Sequence, residues 1–129
     1  MPLACILTGA NRHDVTQLIP LIDAIPPIGG KAGGLLRRPR RLYADRGYDS
    51  DPHREQLRGR GIEPIIARRN TDHGSGLGVF RYVVEQTIGL FHQFRRLRTR
   101  FDKRDDIHEA FMSLACSVIC WRRLNHGYF

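Results

Sequence analysis

With 129 residues and 41% apolar side chains, the chain is long enough for one domain with a core and too apolar for wholesale disorder. A formal net charge of +8 and a pI near 10.2 point to nucleic acid or another anionic surface as partner. No apolar run approaches the ~18 residues of a membrane span; the N-terminus has no signal-peptide pattern; and Cys5, Cys116 and Cys120 lack disulfide spacing, which fits a reducing cytoplasm.

In chain order, the apolar run Leu3 to Leu7 predicts a strand, followed by a turn at Gly9-Ala10-Asn11-Arg12. Asp14 is placed to cap a helix reaching about Ile25, with Leu18, Ile19, Leu21 and Ile22 on its inner side. Pro20 removes a backbone donor there and predicts a kink or a late helix start. Residues 26–40, rich in proline, glycine and arginine, read as a loop, either a solvated insertion or an excursion beside a site. Leu42 to Ala44 predict a strand that ends at Asp45. Asp51-Pro52 reads as an N-cap with proline in the first turn of a helix to about Arg58, stopped by Gly59 or Gly61. Ile62 to Ala67 predict the next strand. The glycine-punctuated loop from Asn70 to Gly78 matches neither the dinucleotide pattern nor the P-loop pattern.

A long helix is predicted from about Val79 to Leu97, with Phe80, Val83, Thr87, Leu90, Phe91, Phe94 and Leu97 as one apolar stripe. A last helix is predicted from near Asp106 to about Leu124. Asp106 and Glu109 have capping-box spacing, and apolar residues lie nearly all round the helix. Strands alternating with helices and followed by two long C-terminal helices make an α/β pattern.

Two carboxylates are placed to carry chemistry. Asp45 lies at the carboxyl end of a predicted strand, where sites gather in open α/β sheets. The plain reading is a turn aspartate bonding its own backbone, with Asp49 and Asp51 doing the same. Glu85 shares a helical face with Arg81, His92 and Arg96, apart from the apolar stripe, and Gly89 leaves room for close approach one turn on. Such a face suits a metal ion and a phosphate chain. Spacing alone favours an ordinary solvated ion pair, worth ~0.3–0.5 kcal/mol.

Arg95, Arg96, Arg98, Arg100, Lys103 and Arg104 place six cations in ten residues, against Asp102 alone. Phe94, Leu97 and Phe101 interleave, so the segment can pack on one side and offer cations to phosphates on the other. Cys116 and Cys120 are one turn apart, with His108 two turns from them. A metal pair is conceivable, but small buried hydrophobes account for them better.

Four blocks in order resemble the C-terminal part of the catalytic domain of a bacterial insertion-sequence transposase of the DDE class, in the insertion-sequence-five-like branch. The first is Pro2-Leu3-Ala4 through Ala10-Asn11-Arg12-His13-Asp14. The second is Tyr43-Ala44-Asp45-Arg46-Gly47-Tyr48-Asp49. The third joins His73-Gly74-Ser75-Gly76-Leu77-Gly78 to Arg81-Tyr82-Val83-Val84-Glu85. The fourth runs from Arg95-Arg96-Leu97-Arg98 to Ile119-Cys120-Trp121-Arg122-Arg123-Leu124.

The resemblance implies a ribonuclease-H-like fold, with Asp45 as the second catalytic aspartate and Glu85 as the catalytic glutamate. Both would hold Mg²⁺ or Mn²⁺. Of the family's Tyr, Arg, Glu and Lys signature, Arg81 and Glu85 match, while Gly78 replaces the tyrosine and His92 the lysine. Leu3 to Leu7 resembles the family's third strand. Residues 1–129 are thus expected to form a single, N-terminally truncated domain, an incomplete fold whose mixed sheet lacks its first two strands and the first catalytic aspartate. The expected activity of the complete enzyme is cleavage of DNA at insertion-sequence ends followed by strand transfer. This chain alone is expected to be inactive. Arg81, His92, Arg95, Arg96, Arg98 and Arg100 are the expected DNA contacts. Expected partners are transposon-end and target DNA, an upstream transposase half or the full-length transposase, and further copies in a homo-oligomer. The rival reading is a non-catalytic DNA-binding fragment that regulates or inhibits transposition. A third is a general basic nucleic-acid-binding domain, against which the lack of a stacking-aromatic motif argues for RNA.

Overall fold

A computed structural model describes residues 1–29, 33–70 and 78–126. It divides the chain into two units. One is Thr8–Phe80; the other joins Met1–Leu7 to the chain from Arg81 onward.

The first unit is built on a parallel pair of strands, β1 (Arg41–Ala44) and β2 (Glu63–Ile66), in register from Arg41 opposite Glu63 to Ala44 opposite Ile66. Parallel strands need a crossover, which the helix α2 (Asp51–Gly59) supplies. Pro64 cannot donate to a ladder, and in this two-stranded sheet every strand is an edge that tolerates it. Ser50, not Asp51, is the N-cap of α2, and Pro52 lies in its first turn, where a missing N–H costs nothing. The helix is stopped by Gly61, whose φ of +74° is the left-handed conformation that glycine adopts freely. There the Gly61 N–H donates to the Arg58 carbonyl at 2.9 Å and the Ile62 N–H to the Leu57 carbonyl at 3.0 Å. These two bonds close a Schellman cap and turn the chain straight into β2.

Proline delays the first helix. Asp14–Gln17 form a tight 3-10 turn, and only from Leu18 does the chain become α-helical, as α1 (Leu18–Asp23), with Pro20 in its first turn. Asp14 is not a cap: His13 holds that position, and the Thr16 hydroxyl donates to its carbonyl at 2.7 Å. Leu18 and Ile22 from α1, Leu57 from α2, and Ile62 and Ile66 beside and within β2 form the buried core, with Ile19, Ile25, Leu42, Ala44 and Tyr48 packed against it. Within residues 26–40, the backbones of Ile28 and Leu36 form a two-way bridge, so part of the predicted loop is pinned.

The second unit is helical: α3 (Gly78–His92) from Arg81 on, α4 (Arg95–Arg98) and α5 (Asp105–Asn125). The single helix expected to Leu97 breaks after His92, because Phe94 takes an extended conformation and restarts the chain as α4. That break lets α4 pack on α5, with the Arg96 guanidinium 4.9 Å over the Phe111 ring. The expected capping box is absent: α5 starts at Asp105, its N-cap is Arg104, and Asp106 pairs with Arg104.

The expected strand at Leu3 to Leu7 is also corrected. Among the described residues, it pairs with no strand, and the sheet is a parallel pair rather than a mixed one. Its backbone lacks a ladder partner among the described residues, and Cys5, with the neighbouring Pro2, meets α5 instead. Cys5 Sγ lies 3.9 Å from Cys116 Sγ, and the Cys120 thiol reaches the Pro2 carbonyl at 3.5 Å. The three cysteines are free and half-buried, as small apolar residues would be. Among the described residues, no helix is long and apolar enough to cross a membrane.

Candidate active-site carboxylates and basic face

Asp45 stands where β1 ends. Its backbone is extended, and its Oδ1 accepts the Gly47 N–H at 2.8 Å, capping the short 3-10 turn Arg46–Tyr48. The turn-aspartate geometry is therefore present. The residue is exposed, with this backbone bond holding one oxygen in place. The Tyr48 N–H donates to the Asp45 carbonyl at 3.1 Å. Burial, then the charges of Asp14 and Asp45, push the Tyr48 phenol above its ordinary pKa.

The turn that carries Asp45 is held from below by residues whose role sequence patterns did not reveal. Arg54 on α2 is 5% exposed, yet it is charged, so it must be paired. Its Nη2 donates to Asp49 Oδ1 at 2.6 Å and to the Ile66 carbonyl at 3.0 Å. The other Asp49 oxygen accepts the Arg69 N–H at 2.8 Å. Arg69 in turn donates from Nε to the Arg46 carbonyl at 3.1 Å. One network thus ties the end of β1, the start of α2 and the end of β2 to one another. The Arg54 guanidinium, then the Arg69 amide, hold the Asp49 carboxyl below its ordinary pKa. A signal was there to read: an arginine on the apolar side of α2, next to the buried Leu57 turn, needs a carboxylate.

Glu85 lies on α3. Its Oε1 accepts from Arg81 Nε at 2.9 Å, with both side chains well exposed (63% and 79%). The i,i+4 pair expected from spacing is made. His92 is the last residue of α3 and is exposed. Arg96 no longer extends the Glu85 face, because it belongs to α4. Asp45 lies in the first unit and Glu85 in the second. Among the described residues, no group of three or more His, Cys, Asp or Glu side chains could hold a metal ion.

The basic segment is partly self-neutralised. Arg96 pairs with Asp102 at 3.3 Å, Arg100 with Asp105, and Arg104 with Asp106 at 2.6 Å. Arg95 and Arg98, both exposed, make no ion pair among the described residues. Of the arginines in this stretch, these two keep the most freedom to meet an external anion, as does the exposed Lys103.

Comparison with known proteins gives the frame for these residues. The family model described as Transposase DDE domain matches residues 1–79, a span that contains Asp45 and stops short of Glu85. A Burkholderia cepacia protein described as "Putative transposase for insertion sequence element IS402" is 66% identical over 126 residues, covering 98% of this chain and 60% of that protein. The transposase for insertion sequence element IS1106 from Neisseria meningitidis serogroup B is 30% identical over 106 residues, covering 74% of this chain and 33% of that protein. The chain therefore spans between a third and three fifths of the length of these curated relatives. No solved structure matches it. On the family match over more than half its length, the chain belongs to the DDE transposases of insertion sequences.

Proposed function

We propose that this chain is the C-terminal part of a transposase catalytic domain that cuts DNA at insertion-sequence ends and transfers the strand, with Asp45 and Glu85 as its second and third acidic residues. The observation that carries the reading is the placement of Asp45: exposed at the carboxyl end of β1 and oriented by the Gly47 amide, inside the family-matched span. Glu85 is supported by its exposed pair with Arg81, which matches two positions of the family signature. Both side chains offer hard oxygen donors of the kind Mg²⁺ or Mn²⁺ takes. In the complete protein such an ion would polarise the scissile phosphodiester and activate the attacking oxygen.

This chain's own residues have separate tasks. Asp45 and Glu85 would each offer a carboxylate to the ion. Arg81 orients Glu85 while facing the phosphate. Arg95 and Arg98, with His92, Arg96 and Arg100 at the flank, meet the DNA backbone, where cations give position without base specificity. In the complete protein, water would attack the phosphodiester at the transposon end and displace its 3′-oxygen, and the freed 3′-hydroxyl would then attack a target phosphodiester and displace the target's 3′-oxygen.

The test is Glu85→Gln in the full-length protein. Strand transfer should vanish while binding to end DNA persists, and retained transfer removes Glu85 from the site. A second proposal is that the chain by itself neither nicks nor joins DNA, since Asp45 and Glu85 are only two of the three acidic residues that the resemblance implies for the site. Metal-dependent nicking of end DNA by the purified chain would refute it.

A further inference from the structure

We infer that Arg69 and Gly47 are positioning residues for the Asp45 carboxylate: the Arg69 guanidinium holds the Arg46–Gly47 peptide group at its oxygen, and the N–H of that same peptide aims Asp45. This rests on the reading of Asp45 as a carboxylate that meets the ion.

A single peptide group lies between the two side chains. Its N–H, that of Gly47, donates to Asp45 Oδ1 at 2.8 Å. Its oxygen, that of Arg46, accepts from Arg69 Nε at 3.1 Å. The C=O and N–H of a trans peptide point opposite ways in one plane. A peptide held at its oxygen therefore keeps its N–H direction as well. A cation on the carbonyl also polarises the amide, which strengthens the bond on its far side. Nη2 of the same guanidinium reaches the Gly47 carbonyl at 3.4 Å, so the planar fork spans two successive carbonyls of the turn.

Arg69 is itself anchored. Its backbone N–H donates to Asp49 Oδ2 at 2.8 Å, and Asp49 Oδ1 accepts from the buried Arg54 at 2.6 Å. The root of the clamp is thus held through the backbone, while the Arg69 side chain is exposed. The side chain can be cut back with that root still in place.

Gly47 serves the same end by what it lacks. A Cβ there would stand 2.9 Å from Asp45 Oδ1, closer than real Cβ atoms come. The atom it meets is the tip of a side chain that can turn on its own χ angles. The clash would therefore redirect the carboxylate and leave the backbone where it is. Asp45 Oδ2 accepts no hydrogen bond among the described residues, so one oxygen is fixed and the other is open to an ion. Partners that orient a metal-binding side chain are worth about 10–100-fold in metal affinity.

Two measurements separate this role from a share in the fold or a contact with DNA. In the purified chain, the Gly47 amide should exchange its hydrogen roughly tenfold faster in Arg69→Ala, with β1 and β2 amides within about threefold of wild type. In the full-length protein, Arg69→Ala and Gly47→Ala should each raise the Mn²⁺ concentration for half-maximal strand transfer about tenfold. Activity should return at saturating Mn²⁺, with affinity for end DNA unchanged. Arg69→Lys keeps the charge without the fork and should fall between Arg69→Ala and wild type. Unchanged Gly47 exchange in Arg69→Ala overturns the inference. So does faster exchange of β1 and β2 in step with Gly47, which makes Arg69 a support of the fold only. A loss of end-DNA affinity at an unchanged Mn²⁺ requirement overturns it too, by making Arg69 a phosphate contact, as does full recovery in Arg69→Lys. Asp45→Asn in the full-length protein tells the two readings apart. Retained transfer there removes Asp45 from the site. Lost transfer there, with a wild-type Mn²⁺ requirement in Arg69→Ala and Gly47→Ala, overturns the positioning role alone.

Discussion

Leu57→Ala tests the core that carries the Asp45 turn. Leu57 is 0% exposed and is surrounded by Leu18, Ile22, Ile62 and Ile66. Alanine removes three carbon atoms, each worth about 0.8 kcal/mol of transfer free energy, and leaves a cavity that adds to the loss. The sum is about 3 kcal/mol, inside the ~2–5 kcal/mol seen for such truncations. Five buried side chains make a small core, with no other buried leucine on α2 to take over. Hydrogen exchange is the assay, because it reads each strand locally. Amides in β1 and β2 should exchange roughly a hundredfold faster. The control is Leu36→Ala, at 66% exposure, which should change opening by less than about 0.5 kcal/mol. If Leu57→Ala leaves β1 and β2 within about threefold of wild type, or if Leu36→Ala has the same effect, the packing argument is wrong.

Other outcomes follow from single contacts. Burial, then the neighbouring Cys5, push the Cys116 thiol up to about 12. Thiolate is the reactive form, so Cys116 should be the slowest of the three cysteines to alkylate near pH ~8, by mass spectrometry of labelled peptides. The Arg54 guanidinium holds the folded-state Asp49 carboxyl below its ordinary carboxylate range. That interaction therefore stabilises the fold at neutral pH and is lost only as pH falls through the lowered value. Asp49→Asn should lower the urea midpoint at neutrality and flatten the acid limb of stability. Arg95→Gln with Arg98→Gln should reduce the slope of log affinity for DNA against log salt by up to about 1.8, in binding titrations at several salt concentrations. Arg96→Gln should in addition cost thermal stability, through its contacts with Asp102 and Phe111.

Local chemistry made much of this protein legible. Gly61 as a stop, Pro20 as a delay, the strands on either side of α2, and the Arg81–Glu85 pair all follow from rules that act within a few residues. The composition announced a basic protein, and the ordered blocks announced its family. Tertiary structure alone decided the rest. Leu3 to Leu7 has strand-like residues, but a strand exists only with a ladder partner, and the segment instead packs Cys5 and Pro2 on α5. The helix that periodicity carried to Leu97 breaks at Phe94 because α4 gains a packing surface on α5. The arginines of the basic stretch look alike in sequence, and only folding sorts Arg96 and Arg100 into internal pairs while leaving Arg95 and Arg98 open among the described residues. Asp45 was visible as a residue. What holds it, the buried Arg54 between Asp49 and the end of β2, joins positions up to twenty apart, and no local pattern encodes such a contact.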